Sequence, residues 1–331
     1  VCVGVALLVA LPTPVGRGAP AAALTVTAAP PSAGHNIHLY DAAVQNAFTQ
    51  VQAAVAASAE LKAVPSNLDP PLADAAAEIK TISLGGCMRN LFQGGQPECA
   101  TGDTASKTTV ALVGDSHAAM WGRALQQVAE QRRWRLETLS KADCPLMNLP
   151  ITNPLRRMVS ADCKRWSDQI IARLRAEHPR LVVVSMWRGY GVGRGWLPGF
   201  RSYDPAWFDS LSRLVQQLRG MGTKVLVLGP VPALPSPVPI CLSGHLDDAT
   251  ACSPPRSQAL NERGIAAESA ATKAGGGDYA DLTDLFCTAD RCPVIVGNTL
   301  VYFDGAHVTF EYSRLLAPVI GALADRALAR D

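Results

Sequence analysis

The chain has 331 residues, of which 48% are hydrophobic and 18% are charged, and its formal net charge at pH 7 is +2. This length and hydrophobic content predict one large domain with a substantial core, plus accessory segments. Lys and Arg residues are dispersed and form no dense basic stripe, so we expect no nucleic-acid partner.

The N-terminal third divides into three segments by composition. Residues 1–11 are apolar and uncharged but too few to span a bilayer alone. We expect them to end a transmembrane segment, or to form a signal-peptide core, that tethers the chain at the extracytoplasmic face of a cell membrane. Residues 12–40 are a predicted Pro/Ala-rich linker. Residues 41–107 are a predicted helical and cysteine-containing lead-in, which begins with an Ala-rich helix over 41–63.

From residue 108 onward, short apolar runs alternate with longer amphipathic ones. The predicted strands are 108–113, 135–139, 180–186, 223–228 and 278–282. The predicted helices are about 117–132, 160–176, 204–220, 256–274 and 311–329. This alternation predicts that 108–331 is an α/β domain of three α/β/α layers, with a central, mostly parallel sheet of about five strands.

Eight of the nine cysteines fall into local couples, and Cys2 is left alone. The couples are Cys87 and Cys99, Cys144 and Cys163, Cys241 and Cys252, and Cys287 and Cys292. Spacing cannot fix the pairing of eight cysteines, but nearest-neighbour disulfides would close short loops in an oxidising compartment. Zinc is the competing interpretation. We predict no metal, because the chain has no C-x₂-C couple and no His at ligand spacing.

The first predicted strand ends on Gly114-Asp115-Ser116-His117, just before a helix. Ligands of open parallel sheets bind beyond the carboxyl ends of the strands. A glycine permits a sharp turn there, and the free N–H groups of a helix N-terminus can hold developing negative charge. Ser116 is therefore a candidate nucleophile. A plain helix N-cap formed by Asp115 or Ser116 explains the same residues equally well.

A serine nucleophile needs a base. Of the six histidines, the best candidate is His307, which lies in a loop before the last helix and three residues after Asp304. The others lie in the linker, in a turn before a proline, in an acidic segment or directly beside the serine: His35, His38, His178, His245 and His117. We predict a Ser116–His307–Asp304 triad in which the carboxylate orients the imidazole. An ordinary loop with a turn aspartate is the alternative.

The blocks GDSHA and DGAH resemble the first and last blocks of SGNH (GDSL-type) hydrolases. A closer resemblance is to the SGNH domain found C-terminal to acyltransferase-3 membrane domains in bacterial cell-envelope O-acyltransferases. It covers about residues 63–325 and includes VPSNLDPPLADA, LVVVSMWRG and CPVIVGNTLVYFDGAHVT. The resemblance implies an SGNH/flavodoxin-like fold, no cofactor, and a short acyl group supplied by an acyltransferase-3 type membrane domain, fused upstream or separate.

Two segments depart from the SGNH pattern. General SGNH enzymes have a Gly after the second strand and an Asn after the third as oxyanion donors, whereas this chain has LSKADCP and then Trp187-Arg188. We expect the Ser116 N–H to hold the oxyanion, with Trp187 and Arg188 as further candidates. Removal of such a donor can slow a reaction by ~100- to 1,000-fold. A site that uses water poorly is compatible with transfer to another hydroxyl.

The segment WRGYGVGRGW follows the third strand at the same edge of the sheet. Its side chains suited to stacking on a sugar or hydrogen bonding to it are Tyr190, Arg194 and Trp196, although an ordinary surface loop explains them nearly as well. The sequence thus predicts a serine-dependent O-acyltransferase, acting through an acyl-serine on a cell-envelope glycan or glycolipid. The alternatives are a carbohydrate O-acetyl esterase with the same triad and a catalytically idle glycan-binding module.

Overall fold

The structure is a computed structural model. It describes residues 13–29, 31, 36–75, 77–78, 82–149, 152–153, 158–159, 161–190 and 202–330. Among the sequence-based predictions, the apolar segment 1–11, the linker histidine His35 and the candidate sugar-binding residues Arg194 and Trp196 lie outside the described residues.

The described strands are, in chain order, β1 (Met88–Arg89), β2 (Ala100–Gly102), β3 (Thr109–Gly114), β4 (Arg135–Lys141), β5 (Thr152–Asn153), β6 (Met158–Val159), β7 (Leu181–Ser185), β8 (Lys224–Leu228), β9 (Asp278–Ala280), β10 (Ile295–Val296) and β11 (Thr299–Leu300). The described α-helices are α1 (Ile37–Ser58), α2 (Leu72–Ala75), α3 (Ser116–Ala119), α4 (Gly122–Arg132), α5 (Ala161–Glu177), α6 (Pro205–Arg219), α7 (Val238–Gly244), α8 (Arg256–Ala259), α9 (Glu262–Ala274), α10 (Phe310–Leu315) and α11 (Ala317–Ala329).

Seven of these strands form the central sheet, in the order β1-β4-β3-β7-β8-β9, with β2 also paired to β4. Every pairing is parallel except that of β2 with β4. The predicted α/β fold with a mostly parallel sheet is therefore confirmed. The sheet has two strands more than predicted, because β1 and β2 are too short to show a periodic pattern. The remaining strands form two separate antiparallel pairs.

Continuous apolar runs explain why the middle strands lie inside the protein. All five residues of β7 are buried, as are the last five of β3. Helix α6 packs on β8 and α9, whereas α11 packs on β7 and β8 and also contacts α4 and α1. Helix α1 buries one stripe of residues at helical spacing, which includes Val44, Val51 and Val55. It begins and ends about four residues before the predicted helix over 41–63.

The order of the five long strands places a crevice at the end of β3. From β3 the chain passes first to β4 on one side and then to β7 on the other. The loops that leave β3 and β7 therefore diverge at their carboxyl ends, where doubly wound sheets bind ligands. Ser116 follows β3 directly, so its position at this switch point results from the sheet topology.

Four disulfides join the nearest-neighbour cysteines, with Cα–Cα distances from 4.0 to 5.9 Å. The bonds are Cys87–Cys99, Cys144–Cys163, Cys241–Cys252 and Cys287–Cys292. Cys144–Cys163 ties the segment after β4 to α5. Among the described residues, no three His, Cys, Asp or Glu side chains are arranged to hold a metal ion. No described helix combines the length and apolar character needed to cross a bilayer.

Two of the predicted helices are interrupted. The helix predicted over 256–274 breaks at Leu260, whose backbone is extended, and restarts where the Asn261 side chain accepts from the Gly264 N–H. The helix predicted over 311–329 divides at Leu316, between α10 and α11. Pro318 follows this break directly and occupies the first turn of α11, where the missing N–H is tolerated.

Candidate active site

The turn at the end of β3 requires glycine and a capping residue. A Cβ atom on Gly114 would lie 1.8 Å from the backbone oxygen of Ser185 on β7, so no other residue fits there. Asp115 is the N-cap of α3, because its Oδ1 accepts from the His117 N–H at 2.8 Å. Ser116 is the first residue of α3. The cap and the candidate nucleophile are therefore two adjacent residues with separate tasks.

The structure brings together the three predicted catalytic residues. The Ser116 Oγ lies 2.8 Å from the His307 Nε2, and the His307 Nδ1 lies 2.8 Å from the Asp304 Oδ2. The serine and the histidine are 191 residues apart in the chain. A serine, an imidazole and a carboxylate joined in this order can transfer a proton away from the hydroxyl as it attacks a carbonyl.

The loop that carries Asp304 holds the carboxylate in place. Its Oδ1 accepts from the backbone N–H groups of Ala306 and His307, both at 2.7 Å, while its Oδ2 faces the imidazole. Burial by itself raises the pKa of Asp304, but the hydrogen bonds from His307 and Ala306 and the interaction with the His307 ring hold this pKa below its ordinary value. The carboxylate is therefore ionised and accepts the Nδ1–H of the ring.

Asp115 connects the serine turn to the segment after β7. It is fully buried, and its Oδ2 accepts from the Trp187 N–H at 2.9 Å and from the Tyr190 hydroxyl. Burial raises the pKa of Asp115, although the hydrogen bonds from Tyr190, Trp187 and His117 oppose the change. Tyr190, a predicted substrate-binding residue, is instead 3% exposed and contacts this carboxylate. Its hydroxyl stabilises the turn at Asp115 through this hydrogen bond and does not face a ligand.

Arg188, a predicted oxyanion donor, also has a different place. Its side chain is 6% exposed and forms an ion pair with the fully buried Glu268. Its remaining donors bind the backbone oxygens of Leu228, at 2.9 Å, and Met186. Burial disfavours the charged guanidinium, yet the facing Glu268 carboxylate raises the pKa of Arg188 above its ordinary value. The guanidinium therefore anchors the segment after β7 and is not directed at an oxyanion.

Trp187, the other predicted oxyanion donor, also has its backbone N–H bound to a protein group. Its backbone N–H donates to Asp115, so it does not point to an oxyanion above Ser116. The ring of Trp187 packs edge-on against Tyr190, with 5.3 Å between ring centroids, and lines the cleft described below. Of the donors predicted from the sequence, the Ser116 N–H at the start of α3 is the one that remains suitable.

A cleft of about 850 Å³ opens at the triad. Its lining includes Ser116, His307, Trp187 and Tyr203, together with a proline-rich wall formed by residues 230–237. These residues follow the carboxyl ends of β3, β7 and β8 or lie in adjoining loops, as the topology requires. The proline-rich wall was not predicted, although its position directly after β8 is the signal that could have revealed it.

Comparison with known proteins places the chain in a family. The family model described as "SGNH domain (fused to AT3 domains)" matches residues 86–322. The chain belongs to this SGNH family. The periplasmic domain of a lipopolysaccharide acetyltransferase from Salmonella ser. Paratyphi A is structurally similar, with a TM-score of 0.55 and 16% identity over 76% of this chain and 96% of that one.

A second solved structure is Est24, a carbohydrate acetylesterase from Sinorhizobium meliloti, with a TM-score of 0.34 and 15% identity over 65% of this chain and 97% of that one. No curated protein matches the SGNH domain. At these identities, the lipopolysaccharide acetyltransferase domain supports the fold of the chain and no finer property. The family assignment rests on the sequence match over residues 86–322.

After β4, where general SGNH enzymes have a glycine, this chain has an aspartate with a left-handed backbone. Asp143 has a φ of 51°, in the left-handed region that glycine adopts most readily. It also lines the cleft with Ser116. The backbone at Asp143 therefore has the conformation that glycine adopts most readily, although the residue is an aspartate. Asp and Asn are among the residues most tolerant of this region after glycine.

We predict that Glu268→Gln destabilises the SGNH domain by about 3 to 5 kcal/mol, because it leaves the buried Arg188 charge without its counter-ion. Glu268 also accepts from Trp207, at 3.3 Å, and from Tyr279, at 3.0 Å. Urea unfolding measures the change in the free energy of unfolding. The control is Glu177→Gln, which removes a more exposed ion pair with Arg173 within one helix. It should change the free energy of unfolding by less than about 1 kcal/mol. Equal effects of the two variants would contradict the prediction.

Proposed function

We propose that this SGNH domain is an extracytoplasmic, serine-dependent O-acyltransferase that transfers a short acyl group, acetyl in particular, to a hydroxyl of a cell-envelope glycan or glycolipid. The observation that carries the proposal is the chain of two 2.8 Å contacts from Ser116 through His307 to Asp304, three residues that line the cleft. The family description supports an acyltransferase-3 type membrane domain as the source of the acyl group. The lipopolysaccharide acetyltransferase neighbour is consistent with this assignment.

In the first half-reaction, the Ser116 Oγ attacks the carbonyl carbon of the acyl donor while the His307 Nε2 takes the hydroxyl proton. The Ser116 N–H, at the N-terminus of α3, donates to the oxyanion that forms. The bond from the carbonyl carbon to the leaving group then breaks, and the leaving group receives the proton from His307. The product is an acyl-serine and a free donor alcohol or thiol.

In the second half-reaction, the acceptor hydroxyl takes the place of the leaving group. His307 removes its proton as its oxygen attacks the acyl carbon, and the Ser116 oxygen leaves and is reprotonated by the same ring. Asp304 keeps the Nδ1 protonated throughout, so that the Nε2 is free to accept. A cleft of about 850 Å³ is much larger than an acetyl group and leaves room for part of a glycan beside the acyl-serine.

The test supplies p-nitrophenyl acetate as the donor and base-treated, de-O-acetylated glycans from the envelope of the source organism as acceptors. We expect mass spectrometry to find new acetyl groups on the glycan, and none with Ser116→Ala. Release of acetate alone, dependent on Ser116, would identify a carbohydrate esterase. Absence of both products, together with no labelling of Ser116 by a serine-reactive phosphonate, would leave a glycan-binding module.

A further inference from the structure

A second imidazole lies within the candidate active site. His117 is 4% exposed, and its Nε2 is buried with no hydrogen-bond partner among the described residues. Several other buried polar atoms in the described part of the chain lack a partner, but none of them belongs to a residue that lines the cleft. An unpaired buried nitrogen is unfavourable in the free protein. Its position beside the nucleophile therefore requires a functional explanation.

His117 packs directly against the proposed base. The centroids of its ring and the His307 ring are 4.8 Å apart, with an angle of 50° between the ring planes. Phe303 also contacts His307, in a stacked arrangement at 5.4 Å. An apolar ring at position 117 would supply the same packing without the unpaired nitrogen. Packing therefore explains an aromatic residue here but does not explain a histidine.

The surroundings of His117 keep it neutral. Burial lowers its pKa well below the ordinary value, and the neighbouring His307 and Arg188 act in the same direction. A neutral imidazole has one N–H donor and one acceptor nitrogen, so it can bind an ester oxygen or a hydroxyl without adding a charge. Because the His117 ring is buried, such a hydrogen bond is stronger there than at the surface.

Three polar groups that the segment after β7 brings toward the nucleophile are already engaged. The Trp187 N–H and the Tyr190 hydroxyl bind Asp115, and the Arg188 guanidinium binds Glu268 and two backbone oxygens. These three groups are therefore not available to a substrate oxygen, to which only the Ser116 N–H has so far been assigned as a donor. His117 is one of the residues that line the cleft beside Ser116, and its Nε2 has no hydrogen-bond partner among the described residues.

We propose that His117 is a further catalytic residue whose Nε2 hydrogen-bonds an oxygen of the bound substrate, either the carbonyl oxygen of the acyl group or the acceptor hydroxyl. This inference rests on the proposed acyl transfer and adds a substrate contact to it. The contact requires no net proton transfer from His117, which stays neutral while His307 exchanges protons with Ser116 and the acceptor.

The test compares His117→Phe with His117→Gln. Phenylalanine preserves the ring packing against His307 and removes the nitrogen, whereas glutamine preserves a polar group. We expect His117→Phe to be at least as stable as the wild type in urea unfolding, since it removes an unpaired buried nitrogen. We expect it nevertheless to be less active, and His117→Gln to retain more of the activity. A role in packing alone predicts the reverse order of activities.

Two rates distinguish the two possible oxygens. If the partner is the carbonyl oxygen, His117→Phe slows the p-nitrophenol burst that reports acylation by about 100-fold or more. If the partner is the acceptor hydroxyl, the burst is unchanged and transfer to the glycan falls by roughly ten-fold. Wild-type rates for both steps in His117→Phe would overturn the inference and leave the proposed function intact. A wild-type protein with neither burst nor transfer would overturn both.

Discussion

Ser116→Ala is expected to abolish the acyl-serine and to lower kcat by about 10⁶-fold, as replacement of a nucleophilic serine does in other triads. The Ser116 Oγ contacts the His307 Nε2, and no neighbouring hydroxyl is in the same position among the described residues. The turn itself does not depend on this oxygen, because Asp115 provides the cap and Gly114 the close approach to β7. The free energy of unfolding should therefore change by less than about 0.5 kcal/mol.

The measurement combines the p-nitrophenol burst, phosphonate labelling followed by mass spectrometry, and urea unfolding. Ser212→Ala makes the same chemical change on α6, away from the cleft, and should behave as the wild type. Transfer that persists in Ser116→Ala, or a phosphonate adduct on another residue, would show that the nucleophile lies elsewhere. A large loss of stability would show instead that the hydroxyl supports the fold.

The long strands of the sheet were predictable because runs of consecutive apolar residues identify them. The run LVVVS of β7 is apolar at every position but the last, which only a strand covered on both faces requires. Strands β1 and β2 contain two and three residues, and their pairing with β4 depends on register rather than on a pattern. The breaks at Leu260 and Leu316 arise from tertiary packing, which a helical periodicity does not show.

The site was predictable only where local chemistry matched the topology. Ser116 begins the helix that follows β3 directly, His307 lies in the loop before α10, and their residue types suit a proton transfer. Arg188 was misjudged, because its partner Glu268 is 80 residues away and no local pattern indicates a buried ion pair. Tyr190 was misjudged for the same reason, since Asp115 is 75 residues away. A charged or hydroxyl side chain near a site is available to substrate only if no distant residue uses it.

For His117 the error was the reverse, because no role in the site was predicted for a residue that the structure places there. A histidine directly after the nucleophile cannot act as the base for its neighbour, because adjacent side chains diverge. That argument remains sound, yet it concerns Ser116 alone. The loop of His307 closes over α3 and brings the two rings within 4.8 Å of each other, a contact between positions 190 residues apart. The sequence alone could not predict this contact, because it depends on where the distant loop of His307 folds.

Asp304→Asn should lower kcat by about 10⁴-fold while the loop keeps its shape. One oxygen of Asp304 accepts from the Ala306 and His307 N–H groups, and the other faces the Nδ1. An asparagine can keep its oxygen on the two N–H groups, which turns its NH₂ toward the ring. The Nδ1 must then accept, so the proton moves to the Nε2, and this tautomer cannot take the proton of Ser116.

Asp304→Ala provides the contrast, since it removes both sets of contacts. It should lose activity to a similar extent and also lose about 1 to 3 kcal/mol of stability, because two loop N–H groups lose their acceptor. The control is Asp281→Asn, the same substitution in a turn whose aspartate accepts from the Thr283 N–H, where full activity is expected. Full activity of Asp304→Asn would contradict the role of the carboxylate in selecting the tautomer.

The pH dependence of stability gives an independent measure of the same carboxylate. The pKa of Asp304 is below its ordinary value of 3.8, so the folded state binds fewer protons on this group than the unfolded state does. The stabilising contribution of Asp304 is therefore complete above that ordinary value and is lost as the pH falls through the lower folded-state pKa. Asp304→Asn removes this contribution, so the free energy of unfolding should fall less steeply in acid than in the wild type. Parallel curves for the two proteins would mean that the hydrogen bonds to His307 and Ala306 do not favour the ionised form.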